Sequence, residues 1–486
     1  MKKPFTFPEK PWQIYLLSAS ALLILAYSSI GYYHPDEHFQ ILEFAAWKLN
    51  LTPPGELAWE FHYQMRPAIQ PAIVVAIHHI FAFFGCKNPF TIAFFLRILS
   101  ACLSFFSMWM IYQTYSKGVK EGILQKWFLS LSFLLWFALY NDVRFSSETW
   151  SGSIFIIGFS YLFLKIKQLR DQDYFITGIL LGLSFVFRFQ AGILIAGFFL
   201  WLIFIKKEKI RYLSFIASGI TVAIIMGILI DRWFYGEWTL TAWNYFQQNI
   251  LEDKVSGFGI EPWWFYFEDV FIRAVPPFSL VFIISFLVIM FFLRKDVLTW
   301  TLCPFLLLHF LIGHKETRFF YPLIGFLPVL VIKAIEYVED NMKITLTGNR
   351  YFTGLAKLFW AGNILLLLIV FFNPADEQVN LYKEVYNQYP DPITLYYTNE
   401  NPYHRAKEIH YYKSKNLFIK RALSPEKPEV YTRKKYLVAI RGKDPEIELF
   451  RDHKLVYSSY PEWIKEFNFN HWLDRTNIWY VYEVSN

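Results

Sequence analysis

Two short segments of this 486-residue chain place several ionisable side chains beside long apolar stretches. The first follows an apolar run and reads His-Pro-Asp-Glu-His-Phe-Gln over residues 34–40. A carboxylate within hydrogen-bond range of a hydroxyl group can accept its proton during a displacement reaction. The segment therefore predicts a general base at Asp36 or Glu37, with His34 as a candidate substrate contact.

The same segment has an ordinary structural interpretation. Proline in the first turn of a helix needs no backbone donor, and acidic residues there favour the positive end of the helix dipole. On this interpretation a surface helix turns four apolar side chains towards the lipid: Phe39, Leu42, Ala46 and Leu49. Against it, ionisable groups at the edge of a membrane domain usually face a cavity or a partner.

The second segment reads His-Lys-Glu-Thr-Arg-Phe over residues 314–319 and lies between two apolar runs. Lysine provides a point charge and arginine a two-pronged guanidinium, and together they suit a phosphate group. The segment therefore predicts an anion site formed by Lys315 and Arg318, with assistance from His314. The alternative is a solvated turn that contains its own Lys–Glu ion pair.

A third region, residues 231–264, mixes tryptophan and tyrosine with side-chain amides. Aromatic belts occur at both membrane interfaces, so the aromatic residues alone do not indicate a binding site. Their mixture with amides suits a sugar or a lipid headgroup, and it makes Asn244 and Trp263 candidates. Two polar pairs add further candidates: Arg144 with Glu148, and Arg188 with Gln190.

Long apolar runs must position these segments. A helix needs roughly 20 residues to cross a bilayer. Eleven runs are predicted to cross, over about residues 12–30, 91–114, 126–141, 150–166, 173–190, 191–205, 212–231, 274–293, 297–313, 318–335 and 353–373. A twelfth run, residues 67–85, contains two prolines and two adjacent histidines, and we predict that it does not cross.

The distribution of lysine and arginine predicts the orientation of these spans. With a cytoplasmic N-terminus and residues 67–85 outside the membrane, the inner loops hold 19 of the 30 basic residues in residues 1–373. Basic residues concentrate in cytoplasmic loops, so this arrangement is favoured and places both charged segments on the outer side. The first run lacks a convincing small-residue cleavage site, which predicts an uncleaved signal anchor.

The composition divides the chain. It is 55% hydrophobic and 18% charged, with a mean hydropathy of +0.28, whereas soluble domains carry about a quarter charged residues. Residues 374–486 hold 33 of the 87 charged residues. We therefore predict a transmembrane domain over 1–373 and a soluble extracytoplasmic domain over 374–486. Strand-like runs at 436–440 and 478–483 indicate that the second is a small α/β domain.

Several functions are excluded or disfavoured. The net charge of +7 is dispersed between apolar runs, which indicates a lipid bilayer and no nucleic acid as partner. Three cysteines without clustering exclude a disulfide scaffold or a zinc ribbon. The chain has no Walker A loop, GxGxxG, GxSxG or HExxH motif. An outward-facing enzyme also has no nucleotide sugars available and would need a lipid-linked donor.

The charged segments resemble the motifs of glycosyltransferase family 22, the GT-C mannosyltransferases that extend dolichol-linked oligosaccharides and GPI anchors. Four segments carry the resemblance, in the family's order: residues 34–40, 57–67, 231–244 and 314–322. Pro67 stands where the family has serine. The resemblance covers about residues 1–335, whereas residues 374–486 differ from the family's usual ending. The richness in Phe, Tyr, Lys and Asn suits a bacterial member.

The resemblance implies a polytopic GT-C-like membrane fold and transfer of mannose, with inversion, from a polyprenyl-phosphate donor to a glycan or glycolipid acceptor. Asp36 is then expected to be the base, with Glu37 as its orienter or alternate. The donor phosphate is expected to bind Lys315, Arg318 and His314. Substrate contacts are expected at His34, Arg66, Glu148, Arg188, Asn244 and Trp263.

The expected scheme requires no metal ion and no other cofactor. The site is expected on the periplasmic side of a bacterial inner membrane, or in the lumen of the endoplasmic reticulum if the chain is eukaryotic. Two other functions compete with this one. A transporter or flippase for a lipid-linked sugar would be favoured by an inverted internal repeat, which the sequence does not show. A non-catalytic membrane scaffold would not need the two charged segments.

Overall fold

The computed structural model describes residues 10–486 except 167, 277, 343, 348, 406, 423–434, 443–451, 469, 470, 477 and 486. Its longer helices are Pro11–Ser28, Ile69–Phe83, Pro89–Ser116, Ile123–Leu134, Trp136–Asp142, Ser147–Leu164, Asp171–Phe187, Ala191–Phe204, Ile210–Tyr235, Phe265–Arg273, Phe278–Phe292, Val297–Leu311, Leu327–Met342, Arg350–Phe372 and Glu377–Gln388. Short helices and helical turns are Glu37–Leu42, Glu43–Lys48, Pro54–Glu56, Trp59–His62, Thr241–Phe246, Gln247–Leu251, Lys254–Phe258, Thr317–Phe326, Glu462–Lys465 and Trp472–Arg475.

All eleven apolar runs fall on helical segments. Of the helices in the described part of the chain, five are long and apolar enough to cross a bilayer, or up to seven if each of two bent pairs forms one span. One bent pair, Phe278–Phe292 with Val297–Leu311, turns by 111°. The number of eleven crossings stays a prediction. Residues 67–85, predicted not to cross, contain the shorter apolar helix Ile69–Phe83.

One compact unit comprises Met1–Ser28, Trp59–Val74 and Phe95–Phe372. Its apolar core is rich in phenylalanine, including the fully buried Phe155, Phe159, Phe198, Phe305 and Phe326. Packing of such large aromatic side chains fixes the helices on which the charged residues of this unit lie.

Two helices of this unit, Asp171–Phe187 and Ile210–Tyr235, pack unusually closely. A Cβ atom added at Gly178 would collide with the backbone of Ile216, and one added at Gly219 would collide with the backbone of Phe175. Small residues at a helix interface allow the two backbones to approach, which is the usual solution inside a membrane. This contact fixes the end of the helix that precedes Arg188.

The second compact unit comprises Ser29–Ala58, Val75–Phe94 and Asn373–Asn486. It contains one five-stranded sheet, with strands β1 (Ile393–Tyr397), β2 (Leu417–Arg421), β3 (Lys435–Gly442), β4 (Asp452–Ser458) and β5 (Ile478–Ser485). The spatial order is β2-β1-β3-β5-β4. Strands β2, β1 and β3 are parallel, while β5 runs antiparallel to β3 and β4. The predicted small α/β domain is thereby confirmed.

The second unit also contains two segments that precede residue 374 in the chain. Residues 29–58 join it at the start of helix Glu377–Gln388, where the backbone N–H of Asp376 donates to Ile30 O at 3.0 Å. Gly31 has φ +92°, and a Cβ there would lie 2.6 Å from the Asp376 Cβ. Glycine is therefore required at this close approach. The division of the chain at 373/374 stays a prediction.

Candidate functional site

The acidic segment, residues 34–38, precedes and enters the π-helical turn Glu37–Leu42. The Nδ1 atom of His34 accepts from the backbone N–H of Asp36 at 3.2 Å and lies 3.6 Å from the Asp36 Oδ1 atom. The carboxylate of Glu37 accepts from the backbone N–H of His34 at 3.4 Å. The Asp36 side chain is 22% exposed. The geometry thus offers an accessible carboxylate beside a second one that is held by the backbone.

The interpretation of this segment as a lipid-facing surface helix is wrong. Phe39, Leu42 and Ala46 are all buried, because only 7%, 8% and 0% of their surfaces are exposed. These three side chains therefore pack inside the protein, whereas Leu49 is only partly buried.

Glu43 holds the acidic segment to the later part of the same unit. Its Oε1 atom contacts His38 Nε2 at 2.8 Å and accepts from the backbone N–H groups of His410 and Tyr411 at 2.9 and 3.0 Å. Its Oε2 atom accepts from the Thr52 hydroxyl at 2.6 Å. Burial disfavours the charged form, but these hydrogen bonds outweigh burial and lower the pKa of Glu43.

Glu43 and its partner His38 are not among the functional residues predicted from the sequence. The available signal was a single glutamate in an otherwise uncharged run, residues 39–47. An isolated carboxylate in such a run is expected to have partners, because an unpaired buried charge is costly. The ring of His38 also stacks between Tyr32 and Tyr412, with centroid distances of 5.2 and 5.5 Å. These contacts position the acidic segment.

The first compact unit contains a cationic cluster, formed by Glu148, Arg188, His314, Glu316 and Arg318. The Glu148 Oε1 atom lies 2.9 Å from an Arg188 guanidinium nitrogen and 3.5 Å from one of Arg318. All three side chains are less than 10% exposed. Charges buried to this degree persist only with partners, so Glu148 is what allows two guanidiniums to lie together.

Glu316 lies at the other side of this cluster. Its carboxylate forms an ion pair with Arg318 Nε and lies 2.9 Å from His314 Nε2, while His314 Nδ1 lies 3.1 Å from Gly259 O. Both ring nitrogens of His314 face oxygen acceptors, so both hydrogen bonds form together only when the ring carries two protons. The solvated-turn alternative is wrong, since Lys315 and Arg318 are 5% and 8% exposed.

Lys315 has a separate environment. Its Nζ atom donates to the backbone oxygens of Glu261, Ile312 and Gly313. Residue Ile312 directly follows helix Val297–Leu311, so the ammonium group caps carbonyls at the end of that helix. Burial lowers the pKa of Lys315. Its role as a phosphate ligand stays a prediction, and a bound phosphate would compete with these carbonyls.

Arg66 and Asn244 lie where two of the motif segments, residues 57–67 and 231–244, are connected by hydrogen bonds. The Tyr235 hydroxyl donates to Arg66 O at 2.7 Å, and the Asp231 carboxylate accepts from the backbone N–H of Ala68 at 2.7 Å. The Asn244 amide donates to the backbone oxygens of Tyr63 and Gln64 at 3.1 and 3.2 Å. Asn244 therefore shapes the segment that carries Arg66.

The Arg66 guanidinium lies 3.4 Å from Glu60 and stacks over the Tyr245 ring at 5.4 Å. Arg66 also lies close enough to Arg188 to act on it electrostatically, as Arg318 does. The structure thus brings Arg66, Glu148, Arg188, His314 and Arg318 into one region. Trp263 differs from them: its side chain is 61% exposed, and its ring packs edge-on against Trp264.

The described residues contain no group of three or more His, Cys, Asp or Glu side chains that could hold a metal ion. Metal independence stays a prediction.

The fold matches that of a solved structure over nearly the whole chain. ArnT from Cupriavidus metallidurans, solved with undecaprenyl phosphate bound, matches with a TM-score of 0.56 and 8% identity over 98% of each chain. The predicted polytopic GT-C fold, with a small sheet domain after the helices, is thereby confirmed. The protein is an integral membrane protein of this fold class.

The chain belongs to the Alg9-like mannosyltransferase family, whose pattern it matches over residues 13–414. The bovine protein called GPI alpha-1,2-mannosyltransferase 3 is 28% identical over 314 residues, which are 64% of this chain and 55% of that protein. The human protein of the same name is 26% identical over 333 residues, 67% of this chain and 57% of that protein. The chain thus spans about half the length of these relatives. The family resemblance is confirmed and favours a transferase over a transporter or a scaffold.

Proposed function

We propose that this protein is an inverting mannosyltransferase that moves mannose from a polyprenyl-phosphate donor to an acceptor glycan or glycolipid. The family match supports the sugar and the reaction. The observation that carries the proposal is the buried cluster in which Glu148 holds Arg188 beside Arg318. ArnT, a protein of the same fold, has been solved with undecaprenyl phosphate, so mannose linked to a polyprenyl phosphate is the first donor to test.

In the proposed reaction Asp36 accepts the proton of the acceptor hydroxyl. The oxygen attacks the anomeric carbon on the side opposite the donor phosphate, and the bond between that carbon and the phosphate oxygen breaks. The electron pair of this bond leaves with the phosphate, so the configuration at carbon is inverted. Glu37, held by the backbone of His34, orients the acceptor or Asp36. No proton transfer in this scheme requires a metal ion.

The leaving phosphate gains negative charge, which Arg318, Lys315 and His314 would stabilise. The carboxylate of Glu316 already bridges His314 and Arg318, which supports the view that these two side chains can hold an anion between them. Arg188 and Arg66 add positive potential around the same cluster. His34, Glu148, Asn244 and Trp263 remain candidates for substrate contact.

The proposal is tested with the purified protein in nanodiscs, supplied with polyprenyl-phosphate mannose carrying a radiolabel and with short mannose-containing acceptors. We expect a labelled glycan whose new linkage is cleaved by a mannosidase specific for the inverted configuration. Polyprenyl-phosphate glucose serves as the matched donor control. Labelled lipid that crosses the bilayer of proteoliposomes without any glycan product would establish a flippase and contradict the proposal. Absence of both the glycan product and the translocated lipid would favour a scaffold and would also contradict the proposal.

We also propose that both charged segments and residues 374–486 face the extracytoplasmic side. The three free cysteines are first replaced, and single cysteines are then introduced at Lys120, at Lys209, and beside Thr317 and Ser458. An impermeant thiol reagent added to intact cells should label only the last two positions. Labelling of Lys120 and Lys209 from outside would reverse the orientation.

A further inference from the structure

A polar cavity of about 720 Å³ lies in the second compact unit, among residues 378–441. This volume falls within the range of ordinary small-molecule sites, which is about 300–1,000 Å³. The reaction proposed above uses none of the residues that line this cavity. Six of them carry the argument: Gln378, Tyr397, Asn399, Arg405, Arg421 and Arg441.

The cavity lies at the carboxyl ends of the three parallel strands. Tyr397 ends β1, Arg421 ends β2, and Arg441 is the next-to-last residue of β3. Tyr397 pairs with Arg421 on one side and with Ala439 on the other. Side chains alternate along a strand, so Arg441, two residues after Ala439, shares a sheet face with Tyr397 and Arg421. Open parallel sheets bind ligands at this edge.

The arginines make the cavity a site for an anion. Arg405 is held by the Gln378 side chain at 2.7 Å and by the Asp376 carboxylate at 2.8 Å. Arg441 forms an ion pair with Glu400. The exposed Arg421 has no ion pair with any side chain in the described parts of the chain. Two guanidiniums are thus fixed in place, and a third adds positive charge.

The remaining lining suits a sugar. The Tyr397 ring offers a flat apolar surface, against which the apolar face of a sugar can pack. The amide groups of Asn399 and Gln378 lie at the same cavity and already donate to Arg441 O and Pro402 O. Each amide nitrogen has a second hydrogen that can be donated to a hydroxyl group. We propose that this cavity binds a phosphorylated saccharide, whose phosphate contacts Arg421 and whose ring packs on Tyr397. This inference does not depend on the proposed transfer reaction.

The test measures binding to the full-length protein in phosphatidylcholine nanodiscs by calorimetry, with mannose 6-phosphate, mannose and inorganic phosphate as probes. Mannose 6-phosphate should bind most tightly, because it combines the two kinds of contact. Arg421→Ala should weaken its binding about 10-fold or more, since a charge-assisted hydrogen bond is lost. Arg421→Lys should give an intermediate loss of affinity, because lysine keeps the charge but lacks the planar guanidinium that donates two parallel hydrogen bonds.

Lys420→Ala is the matched control. Lys420 precedes Arg421 on β2, is exposed, and pairs with Tyr396, so it faces the opposite side of the sheet and does not line the cavity. Its removal deletes the same charge and should leave affinity unchanged. Equal losses in both alanine variants, or no binding of mannose 6-phosphate to the wild type, would overturn the proposal. Inorganic phosphate binding as tightly as mannose 6-phosphate would overturn the saccharide part.

Two further arms separate this proposal from the transfer reaction and identify the source of the ligand. Asp36→Asn should bind mannose 6-phosphate like the wild type even though it loses transfer, and loss of binding in this variant would contradict the independence of the two sites. In nanodiscs that contain phosphatidylinositol, competition against mannose 6-phosphate would assign the ligand to a lipid headgroup, because inositol phosphate offers the same phosphate and hydroxyl contacts. Unchanged binding there would assign it to a soluble or glycan-borne phosphate.

Discussion

The acidic segment and the cationic cluster are both crowded with charge, but they are built in opposite ways. In the acidic segment the hydrogen bonds that join His34 to Asp36 and to Glu37 span at most three positions, and the Asp36 side chain is 22% exposed. In the cluster, Glu148 meets a guanidinium 170 residues away, and both side chains are below 10% exposed. A partly exposed carboxylate can exchange a proton with a substrate. Buried, fully paired charges instead provide a fixed electric field.

The largest effect is expected at Asp36. Asp36→Asn keeps the shape of the side chain but cannot accept a proton, so transfer should fall by about 100- to 10,000-fold. Glu37→Gln should cost less if Glu37 only orients its neighbours. Initial rates at saturating donor measure both variants, and a thermal melt checks their folding. Transfer by Asp36→Asn at the wild-type rate would show that Asp36 is not the base. Loss of transfer in Glu37→Gln would then assign the base to Glu37.

Glu148→Gln is expected to act on stability. It leaves two buried guanidiniums without their shared carboxylate, and breaking a buried ion pair costs about 3–5 kcal/mol. Thermal unfolding in detergent measures the loss. Glu252→Gln is the control in the same unit, because Glu252 pairs with Lys254 at 3.2 Å while 39% exposed, and exposed ion pairs contribute little to stability. Equal destabilisation by the two substitutions would show that burial of Glu148 does not matter for stability.

A smaller effect is expected when the charge at residue 318 is kept and its shape is changed. Arg318 contacts Glu148 through a terminal guanidinium nitrogen and Glu316 through Nε, and a single ammonium group cannot reproduce both contacts. Arg318→Lys should therefore raise the KM for the lipid donor about 10-fold. Lys315→Ala, compared in the same assay, should also raise this KM if its ammonium binds phosphate. Donor kinetics unchanged in both variants would assign the phosphate elsewhere.

The smallest effect is expected at Glu43, a buried carboxylate that helps to position the segment bearing the more accessible Asp36. Its pKa is lowered on folding from an ordinary value of 4.5. The stability it contributes is therefore fully present above that value and is lost as pH falls through its lower folded pKa. Glu43→Gln should flatten the acid side of a profile of unfolding temperature against pH. A profile identical to the wild type would show that Glu43 does not contribute in this way.

Local patterns in the sequence predict a large part of this molecule. Apolar runs mark the helices, and the strand-like runs at 436–440 and 478–483 lie in β3 and β5. The acidic segment is recognisable because its interacting residues adjoin one another in sequence. The cationic cluster is only partly recognisable. Glu148 and Arg188 are visible as polar residues near helix ends, but their pairing with Arg318 depends on how distant helices pack, and no local pattern encodes that.

The membership of residues 29–58 in the second compact unit is unpredictable for the same reason. Composition separates the charged tail from the apolar helices, since charge content is a local property. It cannot show that a buried glutamate at position 43 accepts from backbone N–H groups of residues 410 and 411. Such a contact has no side-chain signature on its donor side, because any residue except proline supplies the same N–H group.

This contact limits how far the tail can be treated as a module. A chain cut after residue 373 would lose two of the hydrogen bonds that hold the Glu43 carboxylate, together with the ring that stacks on His38 from Tyr412. The loop bearing the proposed base would then have to refold around an unsatisfied charge. Exchange of residues 374–486 between related proteins should give a folded protein only when residues 29–58 are exchanged together with them. The loop that bears the proposed base and the tail are therefore expected to be inherited together.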